Sequence, residues 1–185
     1  WFGLAPKGNG IVRYDTTNAR APVGLLTQPG LMAGMADRDG GGMVARGLYM
    51  EEQVFCGEPT PPPPANIDIA AAKTALGDAP ERAYAEARLA RPECGACHGR
   101  FEPLAFAFER FDGIGRYRLR DASGHELRED GWIPESVTHG EKVPYADLDG
   151  SPRALAASPY GRRCFVRTQL ESALGRRLAG DEEPL

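Results

Sequence analysis

The 185-residue chain is 42% hydrophobic, enough for one buried core, with 22 basic against 26 acidic residues and a net charge of −4. It has no dense basic stripe to displace counterions from phosphates, which argues against a nucleic-acid partner. No apolar run approaches the about 18 residues of a membrane-spanning helix, and 23 glycines with 16 prolines predict much loop.

Residues 1–43 read as loop, with a short helix around Pro29–Ala36 and a turn at Asp39–Gly42. Trp1-Phe2-Gly3-Leu4 has the character of a packed segment, so a longer parent chain is expected. Val44, Leu48, Val54 and Phe55 recur at helical spacing, and the helix must stop before the four prolines at 61–64, which cannot donate helix hydrogen bonds. That proline run reads as a stiff polyproline II connector rather than a docking ligand.

Asp78-Ala79-Pro80-Glu81 has the form of a helix start, and Arg91-Pro92 ends that helix just before Cys94. Phe101 to Phe111 is strongly apolar and aromatic, suited to the wall of a cofactor. Tyr117–Arg120 and Glu126–Arg128, around Ala122-Ser123-Gly124, predict a small hairpin. Ser151-Pro152 and Ser158-Pro159 resemble helix starts, and the last helix, about 159–178, carries Phe165, Val166, Leu170, Ala173, Leu174 and Leu178 as its apolar face. No internal repeat is visible. The expected fold is mainly α with long loops and a small β-hairpin: a cytochrome c-like helical haem domain over 67–185. An N-terminal loop-and-helix region, 1–66, packs on it and ends in the polyproline linker.

Cys94-Gly95-Ala96-Cys97-His98 is a CxxCH motif. Two thiols at this spacing add across the two vinyl groups of one haem, while the adjacent imidazole ligates the iron. A redox CxxC pair expects a strand before it, as in thioredoxin-like chains, and no such pattern is present. A zinc site needs two more ligands, for which only His125 and His139 offer themselves without a second CxxC. One covalent haem c at Cys94, Cys97 and His98 is therefore expected.

The segment CGACHGRFEPLAFAFERFDGIGRYR closely resembles the C-terminal haem segment of the planctomycete- and myxobacterial-type multi-domain cytochrome c-like proteins, which carry consecutive domains of unknown function. GLLTQPGLMAGMAD and ARGLYMEEQVFCGEPTPPPPANI resemble the preceding domain of that family, and CFVRTQLESALGRRL its final helix. Gly42-Met43-Val44 departs from the family's Ser-Pro-Val. The resemblance implies an exported, haem-bearing protein, periplasmic or extracellular, and hands over no reaction.

All four methionines precede the CxxCH, unlike the downstream axial Met of small cytochromes c. Met35 ranks first as sixth iron ligand, then Met32 and Met43; His139, and equally His125, are the competing ligands, and core filling is the ordinary use of each methionine. Cys56 and Cys164 are read as a disulfide, two buried free thiols being the alternative. Arg116 and Arg118 are candidates for holding haem propionates, or else exposed strand charges, and Pro103 and Phe106 candidates for the haem wall. Glu109 and Asp112 form a candidate carboxylate pair, for which local capping is the simpler reading. The expected function is one-electron transfer by a single-haem module. It would work with redox partner proteins and with other subunits or the rest of a longer chain. A peroxidase-like haem enzyme with an open coordination site, or a subunit whose haem is structural, are the alternatives.

Overall fold

Prolines open several of the helices, because a residue with fixed φ and no amide hydrogen costs nothing where that hydrogen has no partner. Pro29 starts α1 (Pro29–Gly34), Pro92 starts α4 (Pro92–His98), and Pro159 starts α8 (Pro159–Leu174). The structure, a computed structural model, describes residues 4–16, 24–37, 40–62 and 77–182. Trp1, Asp39, the second half of the proline run and the boundary at 66/67 lie outside the described residues.

Between these come α2 (Met43–Tyr49), which continues as a π-turn over Met50–Val54, and α3 (Glu81–Leu89). α5 (Glu102–Ala105) runs on as a 3₁₀ turn over Phe106–Phe108. β1 (Gly131–Ile133), α6 (Glu135–Thr138), β2 (Val143–Tyr145) and α7 (Gly150–Ala157) follow. β1 and β2 pair antiparallel, with Trp132 opposite Pro144. The fold is mainly α with loops and one small two-stranded sheet, and no helix among the described residues is long and apolar enough to cross a membrane.

Four local expectations need correction. Ser151-Pro152 does not open α7, which begins at Gly150 behind Asp149 and holds Ser151 inside its first turn. The regular hairpin is β1–β2, not 117–128. The latter segment does fold back, but through isolated bridges such as Arg120 with Glu126, because Asp121 and Gly124 close a turn with no strand to extend it. Pro80, not Asp78, caps α3, since the Asp78 carboxylate accepts instead from the Ser123 hydroxyl at 2.8 Å. α8 ends at Leu174, with Gly175 in the left-handed region (φ 65°), and it buries Gly161 and Cys164. Phe165, Val166, Leu170 and Leu174 on that helix are exposed. The Ser158 cap stands as expected, its hydroxyl accepting from the Gly161 amide.

One core joins elements from both sides of the proline run. Met32 from α1, Met50 and Phe55 from the end of α2 pack with Leu104, Phe108, Phe111, Ile133 and Leu148. A second, smaller cluster gathers Met43, Ala85, Ala105 and Phe106. α2 crosses α5 closely, with Gly47 against the carbonyl of Phe101. α8 is fixed to the end of the π-turn region by the disulfide between Cys56 and Cys164. α3 and α5, which flank the CxxCH helix, are anchored in these clusters through Ala85, Leu104 and Ala105.

Candidate functional site

α4 holds Cys94, Cys97 and His98 and contributes no buried residue of its own. Helical pitch places residues three and four apart on one side, so both sulfurs and the imidazole belong to one short helix face. Cys97 is exposed and Cys94 half-buried, and both are free thiols. The helix can lie this close to α3 only because Gly95 lacks a side chain: a Cβ there would stand 2.7 Å from the carbonyl oxygen of Leu89. The first residue between the two cysteines is therefore set by packing.

His98 is partly covered. Its ring meets Phe101 with centroids 5.1 Å apart, and its Nδ1 is buried without a hydrogen-bond partner. That nitrogen lies 3.4 Å from Oε1 of Glu102, one turn on. Glu102 is fully buried and forms an ion pair with Arg88, whose Nε donates to Oε1 at 3.0 Å. A second buried carboxylate, Glu51, pairs with Arg100 at 3.0 Å and accepts from the Thr60 hydroxyl at 2.9 Å. Charges taken out of water persist only when compensated, and Glu102 and Glu51 each have a guanidinium.

The other expected site residues are spread over the fold. Met32 and Met43 are buried, one in each core cluster, and half-buried Met35 packs against the first. Met32 and Met35 line a small void together with Leu31, Arg46, Met50 and Phe108. Pro103 is buried, its carbonyl accepting from the Tyr145 hydroxyl at 2.6 Å, and Phe106 is enclosed by the Arg82 guanidinium over its ring and by the edge of Trp132. Arg116 is exposed and bonds Asp112 at 3.1 Å, while Arg118 is half-buried with its Nε unpartnered.

His125 bonds Asp121 through Nδ1 at 2.9 Å. His139 sits in the left-handed region (φ 50°) at the end of α6, its ring against Tyr160. Among the described residues no three His, Cys, Asp or Glu side chains converge as a metal-ion site. A haem c asks for no such cluster; it asks for two thiols and one imidazole on a shared face, which α4 has. The unbonded thiols and the adjacent imidazole on the same face fit that group.

Glu109 and Asp112 have local partners. The Asp112 carboxylate accepts from the amides of Ile114 and Arg116, closing the turn after Phe111. Glu109 accepts from the Arg128 amide at 2.8 Å, and burial pushes its carboxyl above the usual range despite that bond. Sequence reasoning missed Arg88, Glu51, Glu102 and Arg100. Only Glu102 left a readable signal, its four-residue spacing from His98.

No match is found among curated proteins or among solved structures. Residues 22–121, a span that runs from before α1 to beyond α5 and includes Cys94–His98, match the family model PSCyt3, described as a protein of unknown function (DUF1588). With more than half of its length in that match, the chain belongs to the PSCyt3 family of proteins of unknown function.

Proposed function

We propose that this chain is a c-type cytochrome module that carries one covalent haem on Cys94 and Cys97, uses His98 as an axial ligand, and passes single electrons in an oxidising compartment. The observation that carries the reading is the placement of two free, accessible thiols and one imidazole on α4, a helix free of core duties. The family's name points to a cytochrome-like domain, and the Cys56–Cys164 disulfide suits an exported chain.

The haem supplies the redox chemistry. The residues would hold and tune it: Cys94 and Cys97 would tether it, so affinity would not depend on packing alone, and His98 would ligate its iron. Arg118, with an unpartnered buried Nε, is the freer of the two arginines to receive a propionate, since Arg116 is already engaged by Asp112. Met35, Met32, Met43 and His139 remain the candidates that would supply a second iron ligand.

Absorption spectra of the ferric and ferrous protein, with and without carbon monoxide, test the reading. Low-spin spectra unmoved by carbon monoxide support a carrier with both axial positions filled. High-spin iron that binds carbon monoxide readily would overturn the simple carrier in favour of an open-site haem enzyme.

A further inference from the structure

Arg88 spends two donors on one oxygen of Glu102: both its Nε and an Nη bond Oε1. The other oxygen, Oε2, is buried and has no donor. On the preceding helix the Nδ1 of His98 is also buried, also without a hydrogen-bond partner, and lies 3.4 Å from Oε1, the oxygen that Arg88 holds. An open carboxylate oxygen and an open imidazole nitrogen buried in one cluster are costly, and a turn of the Glu102 carboxylate would let each serve the other. Imidazole is a donor at one nitrogen and has a free lone pair at the other, and the partner of the first decides which is which.

We infer that Glu102 is a positioning residue for the axial histidine: its carboxylate takes the Nδ1 proton of His98 as a hydrogen bond, fixes the tautomer whose Nε2 lone pair is free for iron, and strengthens that nitrogen as a donor. The inference rests on the haem reading above. A carboxylate partner gives the imidazole more anionic character than a neutral acceptor does, and a stronger axial donor favours the ferric state. Arg88 moderates the effect by drawing charge to Oε1. The Arg88–Glu102–His98 chain thereby holds the potential down, with Arg88 as the opposing control.

Equilibrium redox titration of the haem-loaded full chain and its variants is the test. Glu102→Gln should raise the potential, multiplying the ferrous-to-ferric ratio at fixed poise by about tenfold or more, which is about 59 mV for a one-electron couple. Arg88→Met should move it the opposite way. Glu102→Asp separates a hydrogen bond from bare charge, because it keeps the charge and shortens the reach; a hydrogen bond predicts a rise, through-space charge alone predicts none. A measurement on the unmutated protein covers variants that fail to fold: the His98 Nδ1 proton should give a proton NMR resonance that exchanges slowly with solvent. Haem bound with unmoved potentials in all three variants, or an Nδ1 proton in fast exchange, overturns this inference and leaves the cytochrome reading standing. A wild-type chain that takes up no covalent haem overturns both.

Discussion

Arg46, which is 2% exposed, donates from Nη1 to the carbonyl oxygen of Phe111 at 2.7 Å, and the same nitrogen reaches the carbonyl of Phe108 at 2.9 Å. Its Nη2 donates to the carbonyl of Asp112 at 3.0 Å. One guanidinium thus closes the end of the segment that follows the CxxCH helix onto α2. Burial pushes its pKa down to about 10, against the opposing pull of Glu81 and Asp112, and the group remains charged at neutral pH. Arg46→Met leaves several buried carbonyls without a donor. At about 1–3 kcal/mol for each unmet buried group, a loss of about 3 kcal/mol or more is expected in urea unfolding. An unchanged midpoint would show that the carbonyls find other donors.

The disulfide between Cys56 and Cys164 closes a loop with a sequence separation of 108. Chain entropy assigns such a loop about 4–5 kcal/mol, as an effect on the unfolded state. The double variant Cys56→Ala, Cys164→Ala should lose that much in the same unfolding experiment, and reductant should lower the wild-type midpoint while leaving the variant's unmoved.

Gly47 has no room for a methyl group: a Cβ would sit 2.6 Å from the Phe101 carbonyl oxygen and 2.9 Å from its ring. Gly47→Ala is expected to cost about 1–3 kcal/mol by overpacking. Because Phe101 lies between His98 and Glu102, the variant should also lower the yield of haem-loaded protein more than a surface alanine substitution on α3 does, as read from the ratio of Soret to protein absorbance.

Glu109 supplies a pH dependence with a definite sign. Its native carboxyl titrates above the unfolded value, so the folded chain binds that proton more tightly. The contribution is fully present below the unfolded pKa and is lost as pH rises through the native one. Asp130 runs the other way: the Arg128 guanidinium holds its carboxyl low, and that stability is lost as pH falls. Glu109→Gln keeps an acceptor for the Arg128 amide and removes the titration. Urea midpoints between about pH 4 and 8 should rise relative to wild type as pH increases. Parallel curves would show that Glu109 does not titrate in this range.

How much of this was legible in the sequence differs residue by residue. That Cys94, Cys97 and His98 share one helix face could be read because a three- and four-residue spacing after a Pro start is local to α4. The Ser158-Pro159 start of α8 could be read because capping is local. β1 and β2 are three residues each, one of them containing Pro144, too short for an alternating pattern to announce itself. The apolar side chains of α8 predicted a core-facing helix, yet Phe165 and Leu174 are exposed, since the helix docks through Gly161 and Cys164 instead. Glu51, Arg88 and Arg100 look like ordinary surface charges in sequence. Their roles come from pairings between distant segments, which periodicity does not carry.

The central claim is most directly tested on protein made in a host that matures c-type cytochromes, by denaturing it and weighing the chain. One haem should remain covalently bound, with a pyridine haemochrome spectrum of the two-thioether type, and Cys94→Ala, Cys97→Ala should abolish it. A denatured wild-type chain free of haem, or a double variant that keeps it, would contradict the account.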